Sequence, residues 1–512
     1  MAFEEQNFTF KKGLIFPIDW LQTRPYSIPD AVDRYYVDLA NRIAHIIETS
    51  PMATSFDDRK HILMSAILIA EWFEDICSET GIWHAVNEEC RKRYGVLLPF
   101  YDLSDYYPGE VNLQDIRLMI WDILQRAHID EGRIINPENP GIYVLAGTLS
   151  DMLENEYETA PANERLHAFI HDGEAGEDLW RMRDWMNWFT FRSYVNFSAQ
   201  KCLLDEIGEE LSGEVSPELV YGMHALHSFT HRRNLLSLSA PKWASRILDD
   251  PSFESLELID TRPYRFLQWK SGGVLVEDLF EGGRRLIDSY SLHKSQTRKY
   301  LQKEGPGCVL ICSLLSWKDT YSLCGALSIM DRSDGNLDSW LEGERERHRI
   351  VSTQHLVYED FLKASGGRDI LFMKDSGQML QYYTENLAYS VKAGIEMPAC
   401  MRGKKDILMF ADPVQGIESV PEMARCVKLD DNPYYKKAYA EKNSLSVFCN
   451  DDAMSYRLSC RLRDQNAVPD ACMNSIFGKK HGRDFLHANG DFMADYYFAC
   501  CRQYDFDPYY RK

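Results

Sequence analysis

Histidine spacing comes nearest to a chemical site in this chain. His224, His227 and His231 follow one another at intervals of three and four residues. On a helix turning about 100° per residue they fall within roughly 60° of each other. Histidines at i and i+4 can share a zinc ion, so His227 with His231 is a candidate metal pair. His224 and His231 lie about 10.5 Å apart along a straight helix, so all three cannot ligate one ion. No Glu stands between His227 and His231 as a zinc protease would require. The plainer alternative is a pair of histidines hydrogen-bonded inside a helical interface. His231-Arg232-Arg233-Asn234 adds a basic cluster, and paired guanidinium groups hold phosphate or carboxylate well. His227, His231, Arg232 and Arg233 are therefore the anion or metal candidates, set against two arginines that simply pair with surface acids.

Other groupings carry less. Trp180, Arg181, Arg183, Trp185, Trp188, Phe189, Phe191, Arg192, Tyr194 and Phe197 mix aromatic and basic groups as single-strand binders do. Trp185, Trp188, Phe189 and Arg192 also fit the i, i+3, i+4, i+7 spacing of an ordinary packed helix, the favoured reading. Glu71 with Asp75, and Glu154 with Glu158, share helix faces and read as solvated acids. No Glu-x-x-His unit of the di-iron type accompanies them. Cys472, His481, His487 and Cys500 match no zinc module. There is no Walker A loop, dinucleotide fingerprint, G-x-S-x-G elbow or H-E-x-x-H. The residues imply no cofactor.

The elements that must position these residues are mostly helices. A chain of 512 residues is long enough for two or three domains. Aromatics at 12% promise large buried surfaces and exclude a disordered chain. The balance of 57 basic against 78 acidic residues, a net charge of −21, repels phosphate backbones. Nucleic acid would need a basic face standing against that field. The acidic amino terminus lacks signal-peptide character. Ile62 to Phe73 and Cys308 to Trp317 fall short of the roughly 20 residues a membrane span needs. Thirteen scattered cysteines read as reduced thiols of a cytoplasmic protein.

Tyr36, Leu39, Ala40, Ile43, Ile46 and Ile47 recur at helical spacing, as do Ile62 to Cys77 and Leu113 to Ala127. Helical signals continue over 142–158, 177–211, 216–236 and 274–292, and strand alternation is nearly absent before residue 350. The run from Gly305 to Met330 stays open between helix and strand. Asp331 to Asn336 has linker chemistry. Beyond it, Asp369 to Lys374, the turn Asp375-Ser376-Gly377 and Met379 to Tyr383 suggest a hairpin. Asp406 to Ala411 and Leu445 to Cys449 suggest strands, with helical spacing from Val420 and again from Met454.

Several stretches in order resemble a known family. They are Ile18-Asp19-Trp20-Leu21 with Pro25-Tyr26, Leu98-Pro99-Phe100-Tyr101, Asn112-Leu113-Gln114-Asp115 and Ala160-Pro161-Ala162-Asn163-Glu164. Gly416-Ile417-Glu418, Val468-Pro469-Asp470-Ala471 and Asn489-Gly490-Asp491-Phe492 follow. Together they resemble an uncharacterised domain-of-unknown-function family from gut-dwelling anaerobic bacteria, over nearly the whole chain. The resemblance implies a bacterial cytoplasmic protein and brings no catalytic residues.

The expected fold is α+β and predominantly α-helical: a large helical domain over 1–340, then a smaller α+β domain over 341–512. Three function classes stay open. The leading one is a soluble interaction or scaffold protein, with a protein partner favoured over nucleic acid and no membrane. The others are an enzyme assembled from distant residues, and a nucleic-acid-associated, defence-type protein.

Overall fold

The computed structural model describes residues 8–128, 135–172, 179–210, 217–289, 297–331, 337–352, 354–387, 397–440, 442, 454–467, 488–493 and 495–497. The chain is α+β and predominantly helical, and divides into two compact units, residues 1–339 and 340–512.

Among the described residues, unit 1 opens with the single-turn helix Pro17–Trp20 and then ten longer α-helices. They are α1 (Ala31–Thr49), α2 (Arg59–Ser78), α3 (Ile82–Tyr94), α4 (Leu113–Ala127) and α5 (Pro140–Tyr157), then α6 (Glu164–His171), α7 (Leu179–Arg192), α8 (Ala199–Glu210), α9 (Pro217–Thr230) and α10 (Ala240–Ile247). Each start has a local cause. Asp30 accepts from the amides of Val32 and Asp33 while Asp33 accepts from Asp30, a reciprocal cap on α1. Asp58 caps α2 through the His61 amide at 2.8 Å. Helix α2 is buried on nearly every face, which makes it the central helix of the unit. Trp20, Trp72, Trp83, Trp121 and Trp243 are fully buried around these helices.

The rest of unit 1 departs from the expected helices. A closed five-stranded barrel is built from β1 (Glu257–Lys270), β2 (Gly273–Asp278), β3 (Arg284–Asp288), β4 (Val309–Trp317) and β5 (Thr320–Met330). Helix α11 (Thr297–Glu304) stands between β3 and β4. The order is β1-β2-β3-β5-β4, antiparallel except for the β3–β5 pair, and β1 also pairs with β4 to close the ring. This order, with a helix between the third and fourth strands, is the arrangement of an OB-fold barrel. The helical spacing over 274–292 is thus overturned. Val274, Leu275 and Val276 form an unbroken apolar run, because Leu275 faces outward, and Leu279 and Phe280 repeat it four residues on. An apolar side chain on the outward face hides the period of two, although the burial itself alternates. The run from 305 to 330 resolves as β4 and β5, joined at Lys318-Asp319, both at positive φ.

Unit 2 holds most of α12 (Leu337–Ser352), then α13 (Gln354–Ser365), β6 (Ile370–Asp375), α14 (Ser376–Asn386), β7 (Lys405–Asp412), β8 (Gly416–Val420) and α15 (Tyr456–Asp464). The sheet is antiparallel in the order β6-β7-β8. Its central strand β7 is buried on both faces. Leu408 and Phe410 pack with Leu458 and Leu462, while Ile407 and Met409 pack with Phe361 and Met379. The expected hairpin at 369–383 is corrected here. Asp375 caps α14 by accepting the Gln378 amide at 3.0 Å, so Asp-Ser-Gly starts a helix instead of turning a strand. Val420 ends β8, and Met423–Arg425 is a single 3-10 turn. The expected strand at 445–449 lies outside the described residues.

Candidate functional site

Helix α9 carries the histidines and ends at Thr230, so His231 follows its last turn. The His227 and His231 rings are 4.7 Å apart, and both are buried. His224 stacks on Phe191 of α7 at 4.0 Å. Burial is also the main cause that holds His231 far below its ordinary value, with His227, Arg233 and Arg126 adding to it. His224 is pushed down to about 4 by burial, with His227 and Arg192 adding. The His224 and His231 imidazoles are neutral near pH 7. The charge of the cluster rests on Arg232 and Arg233, both half-buried, and on Arg126, which donates to the Arg233 carbonyl at 2.7 Å and to Asp122 at 2.9 Å. Among the described residues no three His, Cys, Asp or Glu side chains converge as a metal site. Cys472, His481, His487 and Cys500 lie outside them. The Trp185–Phe191 run is core: Trp185, Trp188 and Phe189 are buried on α7.

A larger polar constellation escaped the residue reading. Glu71 and Asp75 are buried instead of solvated, as is Glu74 between them. The Arg24 guanidinium, also buried, reaches Glu71 at 3.2 Å and Glu74 at 2.5 Å, and lies 4.0 Å over the Trp20 ring. Two carboxylates facing one cation leave an uncompensated charge in a dry site. Burial pushes Glu71 up to about 8, against the pull of Arg24. Asn163 donates to Glu74 and to the Tyr26 hydroxyl, each at 2.8 Å, and Tyr26 donates onward to Asp33. Asp75 accepts the Trp83 amide at the start of α3 and the Tyr194 hydroxyl, both at 2.7 Å. Asp115, bonded by Tyr106 at 2.9 Å, is pushed up to about 7 by burial.

Trp20, Tyr26, Asp115 and Asn163 come from stretches that carried the family resemblance. The network around Arg24 ties the amino-terminal arm to α1, α2 and the start of α6. It is no open site. A cavity of about 10 Å³ beside it, lined by Trp83, Asp122 and Tyr194 among others, has room for at most one water.

An open concavity lies in unit 2. A cleft of about 590 Å³ is floored by Phe410 to Pro413 and walled by α15. Ser455 caps α15 and donates from its amide to Glu418 of β8 at 2.8 Å, which fixes the helix against the sheet. Arg457 and Arg461, one turn apart, face the cleft. Arg457 pairs with Asp412 at 3.1 Å and Arg461 with Asp369 at 2.6 Å. Their side chains are still 37% and 41% exposed. Tyr358, Tyr456 and Asp464 complete the lining. Cys460 lies between the arginines, and burial pushes its thiol up, which leaves it a poor nucleophile. The arginine spacing at i and i+4 on a helix was readable in the sequence. The facing aspartates, 45 and 92 residues away, were not.

No helix of the described residues is long and apolar enough to cross a membrane. No curated protein and no solved structure matches the chain. The resemblance read from its short stretches is matched over both units: the chain belongs to the family described as Protein of unknown function (DUF3843), whose family model matches residues 14–284 and 327–499.

Proposed function

We propose that the protein is an interaction protein whose unit 2 cleft takes an extended segment of a protein partner. The observation that carries this reading is the pair of half-exposed guanidinium groups one helical turn apart on α15. Side chains at i and i+4 on a helix lie about 6 Å apart. Alternate residues on an extended strand are about 6.6 Å apart. A segment with acidic residues at i and i+2 therefore meets Arg457 and Arg461 in register. A guanidinium group has five N–H donors, so a ligand carboxylate can add to its exposed side while Asp412 or Asp369 stays in place. Asp464 on the same rim then faces basic residues of the segment. A volume of about 590 Å³ suits a few residues. A bacterial cytoplasmic setting belongs to the same reading, supported by nine described cysteines with no disulfide among them.

The test is fluorescence anisotropy with labelled synthetic peptides that alternate glutamate and valine and are flanked by lysine. The full-length chain should bind them with Kd of about 10–100 μM. Arg457→Ala with Arg461→Ala should weaken binding by about tenfold or more. Affinity no better than about 1 mM for every peptide, or equal affinity for the double variant, would overturn the reading.

A further inference from the structure

Acid is not spread evenly along this chain. Residues 257–330 carry ten Lys and Arg against eight Asp and Glu, in a chain with 57 against 78. The barrel with its helix is a basic island in an acidic protein. Part of that charge is held internally. Arg285 and Arg262 reach the buried Asp278 at 2.6 and 3.5 Å, and Arg265 reaches Glu277 at 3.1 Å.

Lys270, Arg298, Lys299 and Lys303 lie at one end of the barrel, whereas Arg284 and Lys318 lie away from it. Lys270 closes β1, directly after Trp269. The Arg298 guanidinium lies 5.8 Å from the Trp269 ring, which sets the first turn of α11 beside the end of β1. Leu301 anchors α11 in the barrel core, and Arg298, Lys299, Tyr300 and Lys303 face outward. Tyr300 is 49% exposed, with the Lys303 ammonium 5.5 Å from its ring. Lys270 and Lys299 reach no acidic partner among the described residues. The acids at this end are Glu304, which pairs with Lys303 at 3.5 Å, and Asp288, opposite Gly273.

We propose that this end of the barrel binds single-stranded nucleic acid, with Lys270, Arg298, Lys299 and Lys303 on backbone phosphates and Tyr300 stacking a base. Cations interleaved with an exposed aromatic ring are the chemistry that holds a single strand without reading its sequence. The Debye length of about 8 Å confines the repulsion from acids elsewhere on the chain. Barrels of this topology often grip strands with long loops. Here the β1–β2 and β4–β5 connections are the two-residue turns Ser271-Gly272 and Lys318-Asp319, so the cationic helix takes that role. Fold alone would not justify the assignment, because unrelated functions share it. The charge and the exposed ring carry it. Helix α11 also falls between the two stretches that match the family model.

The experiment is anisotropy titration of the full chain with a labelled oligothymidylate of about 12 nucleotides, between about 50 and 200 mM salt. Micromolar affinity is expected at low salt, with a log–log salt slope near −3 for about four phosphates. Arg298→Glu with Lys299→Glu, both on the exposed face, should weaken binding by about tenfold or more and roughly halve the slope. Tyr300→Ala should weaken oligothymidylate about fivefold or more without changing inorganic polyphosphate. Arg457→Ala with Arg461→Ala should leave oligothymidylate binding unchanged, which separates this site from the cleft. Equal affinity for wild type and the charge-reversed variant would overturn the proposal. So would polyphosphate or duplex competing as well as the single strand regardless of Tyr300.

Discussion

Arg24, Glu71 and Glu74 decide how the helical part of the molecule responds to pH and to mutation. Removing Arg24 leaves two buried carboxylates without their cation. Arg24→Ala should destabilise unit 1 by about 3–5 kcal/mol in urea denaturation. Glu71, pushed up to about 8 by burial, behaves in the opposite sense to a surface carboxylate. Below about pH 4 both folded and unfolded chains hold its proton. From there to about pH 8 the unfolded chain loses the proton and the folded one keeps it. Stability should fall over that window, by up to about 1.4 kcal/mol per pH unit. Asp115, pushed up to about 7, adds to the same loss. His231, held neutral by burial, opposes it on the acid side, where the unfolded histidine gains a proton. The clean readout is therefore a difference. Glu71→Gln should flatten the stability–pH slope between pH 5 and about 8 and raise stability at the alkaline end. An unchanged slope would mean that Glu71 is ionised in the fold.

At the scale of elements, close backbone approach joins the barrel to the helices. A Cβ at Gly222 of α9 would stand 2.8 Å from the Ala326 Cβ and 2.9 Å from its amide on β5. Gly222→Val should cost about 1–3 kcal/mol in thermal or urea unfolding, because neither backbone can retreat. That docking also explains why His227 is buried: α9 is wedged between Phe191 of α7 and the Ala326 edge of β5. Helix α14 offers a smaller effect, with Asp375→Ala expected to cost about 1 kcal/mol. The helices of unit 1 were legible, because one apolar stripe at period 3.6 suffices to name them. The barrel was not. Leu275 and Leu286 put apolar side chains on its outer face, and Lys318-Asp319 turns a hairpin without Asn or Gly. The aspartates that face Arg457 and Arg461 come from distant strands, so no spacing announces them. Glu71 looked solvated because α2 alternates its acids with Trp72 and Phe73, and only packing on every side reveals the burial.

The whole molecule combines a polar-locked helical unit carrying a basic barrel with a second unit carrying an open cleft. On this account the units unfold separately. Calorimetry should show two transitions, and Glu71→Gln should move only one of them. A single transition would mean one cooperative core. If the cleft on α15 takes an extended acidic segment, that segment shields the strands and helices that line it. Hydrogen exchange read by mass spectrometry on the full chain, with and without the alternating acidic peptide, measures this. Slowed exchange is expected only in the segments that line the cleft, around residues 358 and 369 and over 405–413 and 456–464, and it should be lost in the Arg457→Ala, Arg461→Ala variant. Protection elsewhere in the chain, or none at saturating peptide, would contradict it.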